Sequence, residues 1–188
     1  MRIIGEEKWN EVLLDANLSP DTIEFVAESK FDPYRRVYRD SEYCYKIIFE
    51  GEISSSFRRN TLEQEYQALM KCLDVQGIPK PVRFYKTAMA DIMVTHCLPG
   101  VLLDEPNIGD ISTWYVMGGL AKINFQLAMK GIIQNDMQID NILISNTGEV
   151  YLVDFDQAID TGRVKAFARS FLGINIGGGP VNKSMPGI

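Results

Sequence analysis

The amino-acid sequence predicts an α+β protein in two lobes, a small antiparallel β-sheet carrying one helix and then a mainly helical half with a hairpin. Three observations predict it. Alternating, β-rich segments fill the chain as far as residue 98, one helical stretch interrupts them, and beyond residue 99 the apolar spacing turns helical before two short strands flank a turn.

Residues 1–20 are read as an N-terminal extension whose start, MRIIGEEKWNE, turns acidic too early for a secretory signal. The first lobe is placed at 21–98. Asp21 to Glu28 (DTIEFVAE), Arg36 to Arg39 (RVYR) and Tyr43 to Phe49 (YCYKIIF) alternate or are β-rich, and FDPY and RDSE supply turns, which predicts three antiparallel strands. From Asn60 to Leu73 the residues Leu62, Tyr66, Leu69, Met70 and Leu73 recur at three- and four-residue steps, as one face of a helix requires. GIPKP breaks that helix, and VRFYKTA and DIMVTHCL supply two more strands. The second lobe is placed at 99–165. There Trp114, Met117, Leu120, Ile123 and Leu127 form a stripe, read as core, along a helix from Thr113 to Lys130 that Gly131 caps. NILIS, the turn NTGE and VYLVDF then form the hairpin. Residues 166–188 are read as a C-terminal helix and a flexible tail; its GINIGGGP has neither the strand-to-helix setting nor the Lys-Ser/Thr of a phosphate loop.

Length and composition restrict the function. A chain of 188 residues suits one domain or two small lobes sharing a cleft. Hydrophobic residues at 46% and charged residues at 23% are globular proportions, and no apolar run approaches the roughly 20 residues of a membrane span. A net charge of −6 argues against nucleic acid as a partner, although Arg35, Arg36, Arg58 and Arg59 could form a local basic patch. Cys44, Cys72 and Cys97 are odd in number, far apart and set in apolar strings. They are expected to be reduced, in a cytoplasmic compartment, with no zinc site and no disulfide framework.

Chemistry concentrates at QNDMQIDN, residues 134–141, and at VDFDQ, centred on Asp154. Asp136 and Asn141 lie on the loop entering the hairpin and Asp154 lies just past its second strand, so the turn returns all three to one end. Oxygen-bearing side chains without a His or Cys cluster suit a hard cation such as Mg²⁺, which shares its remaining positions with water and phosphates. Phosphates need a cation of the protein's own. Lys46 interrupts an apolar strand, where a charge is costly unless paired. Glu65 is its expected partner, because Ala68, Leu69 and Cys72 follow at three, four and seven residues and put it on the inward helix face.

In this order and spacing, YKI with Lys46, LEQEYQALMKC with Glu65, QNDMQIDNILI with Asp136 and Asn141, and VDFD with Asp154 resemble the signatures of the protein-kinase-like superfamily. The resemblance spans roughly residues 21 to 165 and implies a bilobal kinase-like fold using ATP and Mg²⁺. It implies that Lys46 binds phosphates and pairs with Glu65, that Asp136 accepts the proton of an acceptor hydroxyl, and that Asn141 and Asp154 hold Mg²⁺. His96, Cys97 and Leu98 would be the nucleotide-binding hinge after a Thr95 gatekeeper. The chain departs from the pattern in three ways. No glycine lies between Glu28 and Tyr45, so Ser29, Lys30 or Arg35 would have to cover the phosphates; Gln134 stands where a histidine is usual; and the D-F-G turn is D-F-D. With 34 residues after Asp154 and no A-P-E segment, the extent is similar to the lipopolysaccharide core (heptose or related sugar) kinases and RIO-type atypical kinases. The acceptor would be a hydroxyl of a sugar, small molecule or protein. The alternative is a kinase-like binding module without catalysis.

Overall fold

In the computed structural model, which describes residues 5–28, 34–49, 60–103 and 112–172, five antiparallel strands form one twisted sheet. The strands are β1 (Glu24–Glu28), β2 (Arg35–Arg39), β3 (Tyr43–Phe49), β4 (Pro81–Lys86) and β5 (Ala90–His96), in the order β1-β2-β3-β5-β4. Ser29, Lys30, Arg58, Arg59 and the glycine-rich tail lie outside the described residues. β1 starts at Glu24 rather than Asp21 and is exposed along its whole length, as befits an edge.

The two-residue period of the strands sorts side chains to two faces. Tyr45 and Ile47 pair with Val94 and Ile92 and point one way, whereas Lys46, opposite Met93, points the other. The first face is covered by α1 (Glu6–Asp15), a helix inside the N-terminal extension. Its Trp9, Val12, Leu13 and Ala16 recur at helical spacing and pack on Tyr38, Tyr45, Ile47, Ile92 and Val94. Trp9 is fully buried, with Tyr38 and Phe49 at centroid distances of 6.4 and 6.5 Å and the Arg36 guanidinium 4.8 Å over its ring. Trp9→Ala is therefore expected to cost about 3–5 kcal/mol, read as a lower urea midpoint at unchanged slope. A wild-type midpoint would remove α1 from the core.

The second face carries α2 (Leu62–Lys71), which a capping box starts: Gln64 N–H donates to Thr61 Oγ1 at 3.2 Å and Thr61 N–H to Gln64 Oε1 at 2.9 Å. Leu62, Ala68 and Leu69 of α2 share a core with the second lobe, where they meet Val116, Leu120, Ile123 and Leu127 of α3 (Thr113–Met129). These four define the buried face of α3. Trp114 and Met117, expected in the core, are 86% and 56% exposed because Trp114 falls across the helix from that face and Met117 to its side. Met70 and Leu73, counted on the apolar face of the earlier helix, are likewise exposed.

The helix expected from Thr113 to Lys130 is α3, and short strands surround it. Beside α3 and α4 (Arg163–Leu172) it contains two small sheets. β6 (Val101–Leu102), β8 (Ile142–Ile144) and β9 (Val150–Leu152) form one; β7 (Ile132–Ile133) and β10 (Ile159–Asp160) form the other. Gly131, at φ +81°, ends α3 in a conformation that suits glycine and approaches Gly162 so closely that a Cβ would clash with its backbone. Among the described residues, no helix is long and apolar enough to cross a membrane.

Candidate functional site

The polar groups of the cleft converge where the sheet meets the end of the β8–β9 hairpin. Lys46 Nζ lies 2.9 and 2.8 Å from the two carboxylate oxygens of Glu65 and 2.6 Å from Asp154 Oδ1. Strand parity turns Lys46 away from α1, and the helical spacing of Glu65 puts it on the buried face of α2. Glu65 Oε1 also accepts the Phe155 N–H at 3.1 Å, so one carboxylate holds both the lysine and the turn that carries Asp154. Phe155 is fully buried in the core shared by α2 and the second lobe.

Asp154 itself sits at φ +57°, a left-handed conformation that Asp and Asn tolerate better than other non-glycine residues. Register explains its place. Ile142 pairs with Leu152, and Val153 N–H donates to Asn141 O at 2.9 Å, so Asn141 is brought alongside the approach to Asp154. The loop before β8 is fixed by Gln134, which is buried: Asp136 N–H donates to its Oε1 at 2.6 Å, and its Nε2 donates to Asp154 O at 2.5 Å. The amide thus spans the two acidic segments from the position where a histidine is usual in the family it resembles. Asn141 Nδ2 donates to Asp136 O at 2.9 Å and to Asp136 Oδ2 at 3.3 Å, while Gln138 Nε2 donates to Asp136 Oδ1 at 2.6 Å. The structure thereby brings Lys46, Glu65, Asp136, Asn141 and Asp154 into one connected network.

Burial and charge set the protonation of the central groups. Burial opposes the charge on Lys46, but Asp154 and Glu65 outweigh it and raise its pKa. In Glu65, burial pushes the pKa up more than Lys46 pulls it down. In Asp154, burial again pushes up, yet the Lys46 ammonium and then Arg35 prevail and lower the pKa below the ordinary 3.8. The stability that Asp154 contributes is fully present above its unfolded value, about pH 4, and is lost as pH falls through the lower folded value. Asp154→Asn is expected to have a Tm that falls less steeply than that of the wild type from about pH 5 to pH 2. Parallel acid limbs would show that the carboxylate contributes nothing to the fold.

Arg35 does not serve the phosphate-covering role expected of it. It is buried, and its Nη1 donates to Asp156 Oδ2 at 2.8 Å. The third letter of D-F-D therefore supplies a partner to the arginine, and the arginine's charge is spent inside the protein. No local signal in the sequence links two residues 121 positions apart.

The donor set suits a hard cation. Asp154 offers a carboxylate whose side chain is 33% exposed, and the Asn141 amide, with its nitrogen committed to Asp136, retains its carbonyl oxygen. These two oxygen donors would suit Mg²⁺, which takes few protein ligands and fills its shell with water and phosphate. At the expected hinge, His96 N–H donates to Lys80 O and Cys97 N–H to Glu42 O, at 2.9 and 2.8 Å. His96 also packs on Tyr43 at 5.2 Å between centroids, and Thr95 is buried behind it. Cys44 and Cys97 bring their free thiols to 3.0 Å, and burial first, then Cys97, pushes the Cys44 thiol up to about 12.

A family model described as the RIO domain matches residues 23–173. No curated protein sequence matches the chain significantly. Among solved structures, a 2.2 Å crystal structure of WbdD superposes with a TM-score of 0.57 at 18% identity, covering 79% of this chain and 36% of the WbdD chain. A structure described as the bifunctional kinase-methyltransferase WbdD gives 0.52 at 20% identity, covering 72% and 33%. A co-crystal of WbdD with a kinase inhibitor gives 0.55 at 20% identity, covering 78% and 35%. The chain spans about a third of the length of these proteins.

Proposed function

From a chain that belongs to the RIO domain family and has a protein-kinase-like α+β fold, we propose an ATP- and Mg²⁺-dependent kinase that transfers a γ-phosphoryl group to a hydroxyl of a sugar, small molecule or protein. The observation that carries the reading is Lys46, a nearly buried ammonium shared between carboxylates from α2 and from the turn after β9. Removing two carboxylates and an ammonium from water is a poor route to stability, so the arrangement is better explained by a ligand that the ammonium receives.

Each residue then has a part. Lys46 grips the α and β phosphates and Glu65 keeps the ammonium in place. Asp154 and Asn141 would hold Mg²⁺, which when bound neutralises charge between the phosphates. Asp136, fixed by Gln134, Gln138 and Asn141, faces the acceptor and takes the proton of its hydroxyl. Of the hinge residues, His96 and Cys97 have already spent their N–H groups, so a base would meet their carbonyls and the Leu98 N–H. Ser29 and Lys30 are the proposed cover for the phosphates, and residues 21–98 and 99–165 the two lobes around the cleft. The odd number, wide spacing and apolar sequence setting of Cys44, Cys72 and Cys97 support a reducing, cytoplasmic setting.

Thermal melting with ATP, with and without Mg²⁺, followed by transfer of radiolabelled γ-phosphate to water or to the protein, tests the reading. A higher Tm with Mg²⁺-ATP and measurable turnover are expected. No shift with Mg²⁺-ATP overturns it, and a shift without turnover turns the protein into a binding module.

A further inference from the structure

The D-F-D turn, residues 154–156, is held from four directions. Lys46 of β3 reaches Asp154 Oδ1, Glu65 of α2 receives the Phe155 N–H, Gln134 donates to Asp154 O, and Arg35 of β2 meets Asp156 Oδ2 at 2.8 Å. Asn60 N–H adds a bond of 2.7 Å to Asp156 O, and Asp156 N–H donates to Asp154 Oδ1 at 3.3 Å. These restraints differ in what becomes of them when a nucleotide enters. A phosphate in the cleft competes with Asp154 for the Lys46 ammonium, and a shift of that ammonium also disturbs Glu65. Arg35 and Asp156 are exposed by only 6% and 0%, so no phosphate can reach their contact.

We propose that Arg35 and Asp156 are a positioning pair for the metal site: they anchor the turn to β2 and keep the Asp154 carboxylate aimed into the cleft while Lys46 exchanges Asp154 for phosphate. The inference rests on the proposed kinase reading. An aspartate in place of the usual glycine gives the turn a side-chain tether that glycine cannot provide, and Arg35 receives it from the far end of the chain. Stability alone explains the pair poorly, because a well-packed apolar pair would serve a buried contact about as well. A charge pair with fixed geometry, one bond from the peptide that donates to Asp154, specifies position instead.

The test uses the full chain with Asp156→Asn, Arg35→Gln and both together. Three quantities are read: Tm, amide hydrogen exchange at Phe155 and Asp156, and the Mg²⁺ concentration that half-saturates ATP binding. Each single variant leaves one buried charge of the pair without the other and lowers the Tm; the double variant, with neither charge, recovers most of it. In that folded double variant the two amides are expected to exchange faster than in the wild type. Half-saturating Mg²⁺ is expected to rise about tenfold or more, the usual cost of losing a group that orients a metal ligand. Wild-type exchange at both amides overturns the proposal. Faster exchange with an unchanged Mg²⁺ requirement also overturns it, reducing the pair to a brace. If the wild-type chain fails to bind Mg²⁺-ATP, the kinase reading falls, and the exchange comparison by itself decides whether the pair holds the turn.

Discussion

Asp136→Asn is expected to slow phosphoryl transfer by about 10²- to 10⁴-fold, the range of a lost general base, while ATP affinity changes little. The substitution is nearly isosteric. In the wild type, Asp136 Oδ1 accepts from Gln138 Nε2 at 2.6 Å and Oδ2 from Asn141 Nδ2 at 3.3 Å. An asparagine has one acceptor oxygen, so one of these bonds is lost, at a cost of about 1 kcal/mol. The loop keeps its shape because the stronger restraints are on the backbone: Asp136 N–H on Gln134 and Asp136 O on Asn141. What disappears is the ability to take a proton. Turnover with radiolabelled ATP and affinity by calorimetry separate the two effects. An Asn variant with wild-type turnover would exclude Asp136 as the base, and one with turnover and affinity falling together would make Asp136 a nucleotide ligand.

The second large effect is expected from Asp154→Asn, which should abolish the Mg²⁺-dependent part of ATP stabilisation. A ligand at one hundred times its Kd adds about 2.7 kcal/mol to the folded state, so the lost increment is visible as a lost shift in Tm. Asparagine is chosen over alanine because position 154 sits at φ +57°, where a plain Cβ residue is strained. Lys46 keeps Glu65 as a partner, so no buried charge is stranded. The folded variant is expected to retain any Mg²⁺-independent ATP binding through Lys46. An undiminished Mg²⁺-dependent shift would take Asp154 out of the metal site.

Much of this architecture was legible in the sequence because the signals were local and periodic. Strand alternation separates Tyr45 and Ile47 from Lys46, and helical spacing turns Glu65 inward. The hairpin turn returns Asn141 towards Asp154. Misreadings came from two sources. Some signals were present and passed over: Trp9, Val12, Leu13 and Ala16 carry the period of α1, and Val116 belongs to the buried face of α3 that excludes Trp114. Others do not exist locally. β6, β7 and β10 have two residues each, too few to show a period, and Arg35 finds Asp156 only through the tertiary fold.

The backbone at Asp154 bears on how such a protein changes over evolutionary time. Left-handed geometry admits glycine, asparagine and aspartate far more readily than other residues, so drift at this position is channelled into a small set of neighbours. Two of those three lack the carboxylate. A lineage released from selection for turnover can therefore abandon the chemistry here by a conservative exchange that the fold barely registers. An inactive descendant would keep the same silhouette. On the proposed reading, catalysts and adaptor proteins sharing this scaffold would be separated at this residue by a short mutational step, and the residue found there would be the character to read when sorting homologues.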